Sequence, residues 1–218
     1  MDTRRAESFS DGVFAVAITV LVFNLLAIGH GPLSYRLLLD AWPQYAAYVV
    51  SFLTIGIMWL NHHTMLSLVS RVDRITLVLN TFLLMGVVAV PFPTALVADH
   101  LTADAPSGGR VAAVLYGLVL IAISIAFSVM WMYLAAHQEP LGAKAIQAPR
   151  QATLRFSAGL IGYVVATLVA AFWSSGVALA IYALIAIYYL FEHLPGPDQG
   201  AEPPGSPGQQ DYSVGEPG

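Results

Sequence analysis

Long apolar runs separated by short polar stretches dominate the chain. From Gly12 to Ile28 only Thr19 and Asn24 are polar, and a second run extends from Ala41 to Asn61. Charge-free runs then cover Ile75 to Ala98, Val111 to Ala136 and Phe156 to Trp173. Each is near or above the roughly 18 residues that suggest a spanning helix. A last run, Gly176 to Phe191, is slightly short and borrows Ser174 and Ser175. The pattern predicts an all-α, polytopic membrane protein with six transmembrane helices over residues 1–194.

Composition agrees: 57% of the residues are hydrophobic and 10% charged, against about 25% charged in a soluble domain. The lipid bilayer is therefore the expected environment, and the cell membrane the expected location. The nine basic residues give the orientation, because Lys and Arg in short loops stay on the cytoplasmic side. Arg4, Arg5, Arg71, Arg74, Lys144, Arg150 and Arg155 flank the spans on the side of the N-terminus, and only Arg36 and Arg110 fall on the other. Both termini are expected to be cytoplasmic.

Residues 195–218 have a different character, rich in Pro and Gly with almost nothing apolar to bury, and predict a disordered cytoplasmic tail. The net charge of −4 owes much to Asp198, Glu202, Asp211 and Glu216 in this tail and says little about any permeating species. The first segment has the basic start of a signal peptide, but its apolar run is long and carries a polar cluster at its edge, so retention is expected. There is no cysteine, which excludes thiolate chemistry and disulfides.

That polar cluster is Phe9-Ser10-Asp11 with Arg5 four positions upstream of Phe9. Charges at the mouth of a spanning helix usually have a partner or a task. Two readings stand side by side. Ser8-Phe9-Ser10-Asp11 fits a Ser-x-x-Asp capping pattern at a helix start. Alternatively, Ser10 or Asp11 bonds across to another helix and fixes how the first one packs, with Asn61, His62, His63 and Asn80 as candidate partners. The adjacent His62 and His63 differ by 100° around a helix, so they are poorly placed to share a metal. A hydrogen-bonding or pH-sensitive role for one of them is favoured, and which one is open at this level.

Further motifs follow in order: Trp59-Leu60-Asn61-His62-His63, Arg71-Val72-Asp73-Arg74, Asn80-Thr81-Phe82-Leu83-Leu84 and Pro91-Phe92-Pro93-Thr94. Together with Arg5 and Phe9-Ser10-Asp11, residues 4 to 100 resemble the bacterial branch of the endosomal and lysosomal transmembrane potassium channel family. The last three helices match mainly in hydropathy and length. The resemblance implies a six-helix subunit, four of which surround a pore lined by the first helix. It places the narrowest apolar ring at Val16, where the family often has isoleucine or leucine. Phe23 also departs from the family's usual leucine, which shifts the expected tightest point from Val16 toward Phe23.

Projected at 100° per residue, the first helix has one face made of Gly12, Val16, Thr19, Val20, Phe23 and Ala27. Phe14, Ile18, Leu21 and Leu25 group on the opposite side. In a four-fold bundle the first face gives apolar rings of Val16, Val20 and Phe23, with Thr19 hydroxyls between them. That is the form of a hydrophobic constriction, which blocks ions by dewetting when narrow. The alternative is ordinary close helix packing through small and β-branched residues. Pro91 and Pro93 interrupt the third helix; a kink that shapes packing is the favoured reading over a transporter-type substrate site.

No nucleophile and base pair, zinc motif or phosphate loop is evident, so an enzyme is the weakest class. Nothing points to a cofactor or to nucleic acid. A proton-coupled secondary transporter is the serious alternative, but such proteins carry acids or histidines deep in the membrane, and this chain keeps them at helix ends. The reading is a homotetrameric, potassium-permeable cation channel. No Thr-Val-Gly-Tyr-Gly filter is present, so Thr19 is the candidate for ion selectivity.

Overall fold

The computed structural model describes residues 3–26, 28, 34–67, 69, 72–101, 106–137 and 159–192. The elements are α1 (Thr3–Val20), α2 (Phe23–Leu26), α3 (Tyr35–Asp40), α4 (Trp42–Ser67), α5 (Arg74–Ala89), α6 (Pro91–His100), α7 (Pro106–His137), α8 (Gly159–Phe172) and α9 (Ser175–Glu192). Four segments are long and apolar enough to cross a membrane: Thr3–Leu26, Trp42–Ser67, Arg74–His100 and Ser107–His137. Gly159–Phe172 and Ser175–Phe191 are shorter apolar helices at the positions of the last two sequence runs. The tail beyond 192, the basic residues Arg71, Lys144, Arg150 and Arg155, and Ala27 lie outside the described residues.

Contacts at both ends show the long helices alternating in direction. At one end Thr3 Oγ1 donates to the carbonyl of Val69 at 3.5 Å, and the hydroxyl of Tyr133 donates to Asp73. Gly159 approaches Tyr189 at the corresponding ends of α8 and α9. At the other end Arg110 reaches the carbonyl of Trp173 at 3.4 Å. α1 packs against α4 and α5, and α7 against α5, α6 and α9. The core between them holds Phe14, Leu21, Ile55, Met65, Leu83, Leu120 and Met130, each under 3% exposed, which decides that α1 is anchored by one face only.

The first helix begins at Thr3, well before the apolar run, so Ser8 lies inside it rather than at its start. The capping reading of Ser8-Phe9-Ser10-Asp11 is therefore corrected: the turn preceding the apolar run continues the helix, Ser8 is exposed on it, and Ser10 and Asp11 bond to neighbouring helices. Beyond Ile18 the helix tightens. Leu21, Val22, Asn24 and Leu25 each donate to the carbonyl three residues earlier, which winds the chain at about 120° per residue instead of 100°. The strict projection thus loses phase between Val20 and Phe23, although both remain exposed.

Pro91 and Pro93 divide the third span into α5 and α6 without ending it. Val90 between α5 and α6 keeps right-handed helical angles, φ −55° and ψ −41°. Pro91 has no N–H for the carbonyl of Val87, and the N–H of Val90 takes that carbonyl instead at 3.1 Å. The hydroxyl of Thr94 bonds back to the carbonyl of Val90 at 2.8 Å. Ser51 Oγ lies 2.8 Å from Thr94 Oγ1 and 3.1 Å from the Tyr116 hydroxyl, so α4, α6 and α7 are joined by buried hydroxyls near the two prolines.

Two glycines let these helices approach. A Cβ on Gly117 would stand 2.0 Å from Thr167 Oγ1 and 2.2 Å from the Tyr182 hydroxyl, the pair that ties α8 to α9. A Cβ on Gly86 would meet Ile123 Cγ1 at 2.7 Å.

Candidate functional site

The first helix carries two distinct surfaces. Ser10, Phe14, Ala17 and Leu21 are buried against the bundle, Phe14 at 1% and Leu21 at 0% exposure. Gly12, Val16, Thr19, Val20 and Phe23 stand exposed, Val16 at 58% and Phe23 at 62%. Within 4 Å of a Cβ built on Gly12 there is nothing. One subunit therefore buries one side of α1 and leaves the other, which holds a single hydroxyl among apolar groups, uncovered. The Thr19 hydroxyl donates to the carbonyl of Val16 at 2.8 Å. Its proton is thereby committed to the helix, leaving the oxygen lone pairs as acceptors.

The buried side is fixed by a polar chain that crosses three helices. Ser10 Oγ donates to the carbonyl of Ala6 at 2.9 Å. Having spent its proton, Ser10 accepts from Asn80 Nδ2 at 2.9 Å. This orients the Asn80 amide, so its Oδ1 faces His62 Nε2 at 2.7 Å and must accept from it. The proton of His62 consequently sits on Nε2. Its Nδ1 is buried with no hydrogen-bond partner, and the ring packs at 5.4 Å against Phe14.

Asp11 and Glu7, one turn apart on α1, face α4. Trp59 Nε1 donates to Asp11 Oδ1 at 2.8 Å, and Glu7 Oε1 lies 2.6 Å from His63 Nδ1. Of the partners expected for Ser10 and Asp11, Asn80 binds Ser10 and His62 binds Asn80, whereas Asp11 binds Trp59 and His63 turns to Glu7. Asn61 is half-buried beside them. Arg5 and Phe9 of the motif are exposed and take no part in this network, Phe9 at 64%. The two histidines diverge to different helices, as their 100° separation requires.

The sequence pattern does not single out Glu7, and it presents Trp59 and Asp73 only as motif residues without partners. Trp59 looks like an interfacial aromatic, yet its indole N–H at i−4 from His63 marks it as a donor on the same face. Asp73 caps α5, accepting from the backbone N–H of Thr76 at 2.8 Å and from its hydroxyl at 2.7 Å. With Tyr133 also donating, these bonds hold the Asp73 carboxyl down at about pH 2, the Thr76 hydroxyl contributing most.

Fold and site define a multi-pass helical membrane protein whose first helix is polar-anchored on one side and bare on the other. A family profile described as endosomal/lysosomal potassium channel TMEM175 matches residues 5–91. A protein of Streptomyces collinus named as a potassium channel is 44% identical over 208 residues, covering 93% of this chain and 98% of that one. Another so named, from Chamaesiphon minutus, is 39% identical over 195 residues, covering 86% and 93%. The crystal structure of a lysosomal potassium-selective channel TMEM175 homolog from Chamaesiphon minutus superposes with a TM-score of 0.74 at 35% identity, over 87% of this chain and 97% of that one. The chain belongs to the TMEM175 family.

Proposed function

We propose that the chain is a potassium-permeable channel subunit, four copies of which surround a pore lined by the exposed face of α1. The observation that carries this is the division of α1 into a face buried by its own subunit and a bare face of Gly12, Val16, Thr19, Val20 and Phe23. Four such faces about one axis cover one another around a narrow lumen. Rings of Val16, Val20 and Phe23 form its hydrophobic constriction, which passes ions only when widened enough to wet. Thr19, its proton held by the Val16 carbonyl, presents oxygen acceptors to a dehydrating cation and acts in selectivity. Potassium as the permeant ion is supported by the names of the Streptomyces and Chamaesiphon relatives.

In this arrangement six helices cross the cell membrane, with the end bearing Thr3 and Asp73 cytoplasmic. The basic residues Arg4, Arg5 and Arg74 at that end support the orientation. Residues 195–218 extend from it as a cytoplasmic tail. Ser10, Asn80, His62, Asp11 and Trp59 set the packing of the pore helix and do not touch the ion.

Purified protein in liposomes under opposed potassium and sodium gradients tests the reading. Passive potassium flux, with a detergent-solubilised complex of four subunits, is expected. A lone subunit, or flux in fixed ratio to protons, overturns it.

A further inference from the structure

Beyond Val20 the first span ends in α2, which packs against α4 and α6. That seat leaves Phe23 and Leu26 exposed at the outer end of the proposed pore face. Phe23 lies one turn beyond Thr19, with Val20 also exposed between them. The side-chain amide nitrogen of Asn24 is buried, so the donors of that side chain turn away from the lumen. From Ala6 to Tyr35 the sequence has no Lys or Arg. The next basic residue, Arg36, is paired with Asp40 at 3.9 Å. No lysine or arginine of this stretch therefore repels a cation arriving at the outer end.

A rim of this chemistry distinguishes between cations. A hydrated potassium ion gains little at Phe23, because an aromatic ring offers it no oxygen in exchange for its water, whereas Thr19 one turn deeper does. A tetraalkylammonium ion holds its water loosely and carries apolar arms. Its charge is attracted to the face of an aromatic ring within about 6 Å, and its arms gain by leaving water against Val20 and Leu26.

We infer that the Phe23 rings of four subunits form a binding site for quaternary ammonium ions at the outer mouth, where such an ion blocks the passage of potassium. The inference rests on the channel reading above, because a single exposed ring gathers no cage. Four rings about one axis surround the ion, and the plug stands directly over the Thr19 oxygens that potassium must reach. The site belongs to this chain's phenylalanine: leucine at the same position lines the rim with apolar surface but presents no π face.

The test is single-channel potassium current across planar bilayers holding the full-length protein, with tetraethylammonium chloride added to one chamber at a time. Millimolar tetraethylammonium should block from one side only, and the half-blocking concentration should rise about tenfold in Phe23→Leu. Phe23→Tyr keeps the ring and should stay within about threefold of the parent. Phe23 is exposed in the subunit, so both variants keep the buried contacts of α1, and block is read against each variant's own current. No block from either chamber, equal block in Phe23→Leu, or loss of block in Phe23→Tyr overturns the inference and leaves the channel reading standing. Absence of potassium current overturns both.

Discussion

Ser10 and Asn80 are 70 residues apart in the chain, and the Asn80 amide donates to the Ser10 hydroxyl at 2.9 Å. The bond is the central link of a chain from the Ala6 carbonyl to His62, so Asn80 serves as donor on one side and acceptor on the other. Asn80→Ala strands both neighbours. Side-chain hydrogen bonds within membrane bundles are worth about 0.6 kcal/mol on average, and two lost partners should lower stability by about 1 to 2 kcal/mol. Ser10→Ala should cost less, and the double variant less than the sum of the two. Unfolding midpoints in detergent at matched protein concentration measure this.

Asp73 stabilises α5 from its N-cap and ties it to Tyr133. Asp73→Ala should cost about 1 kcal/mol. The pH dependence has a definite sign. A carboxyl held near 2 in the fold and near 3.8 outside it stabilises the fold above the higher value and loses that contribution as acid takes the pH toward 2. Tyr133→Phe removes one of the bonds and should narrow this window, which acid titration of unfolding midpoints in the two proteins will show.

Replacing Thr19 with Val keeps the shape and removes the oxygen. The expected result is an altered potassium to sodium permeability ratio, with Thr19→Ser closer to the parent, read from reversal potentials. Unchanged potentials would remove Thr19 from selectivity.

Val16→Asn and Phe23→Asn should wet the constriction and raise resting potassium leak, measured as flux without any stimulus. Val16 tests the ring the family places first, and Phe23 tests its displacement in this sequence. If neither changes leak, the exposed face of α1 does not line the pore.

Gly117 provides a packing control away from α1. Gly117→Ala sets a methyl against Thr167 and Tyr182 and should destabilise by about 1 to 3 kcal/mol, with permeability ratios unchanged in the complexes that assemble. Thermal unfolding and reversal potentials separate the two effects.

The apolar runs and the two faces of the first helix were legible in the sequence because burial in a membrane bundle is written as helical periodicity, one residue type per position. Gly12, Val16 and Thr19 on one side and Phe14 on the other come directly from that arithmetic. Periodicity carries no information about where a helix starts when the preceding turn is polar, so a cap at Ser8 stood open beside a cross-helix bond of Ser10 or Asp11, although the helix begins at Thr3. Nor does it reveal that the helix tightens after Ile18.

Which polar groups meet was decided only by the tertiary structure. The sequence places Ser10, Asp11, Asn61, His62, His63 and Asn80 near matching helix ends. Pairing depends on the rotation and rise of each helix at its crossing, and those follow from how α1 packs on α4 and α5. A rotation of one residue, 100°, is enough to give Asp11 to Trp59 instead of a histidine and to turn His63 toward Glu7. The sequence by itself determined a membrane bundle and the side of α1 it leaves bare; the packing of α1 on α4 and α5 decided which side chains hold it there.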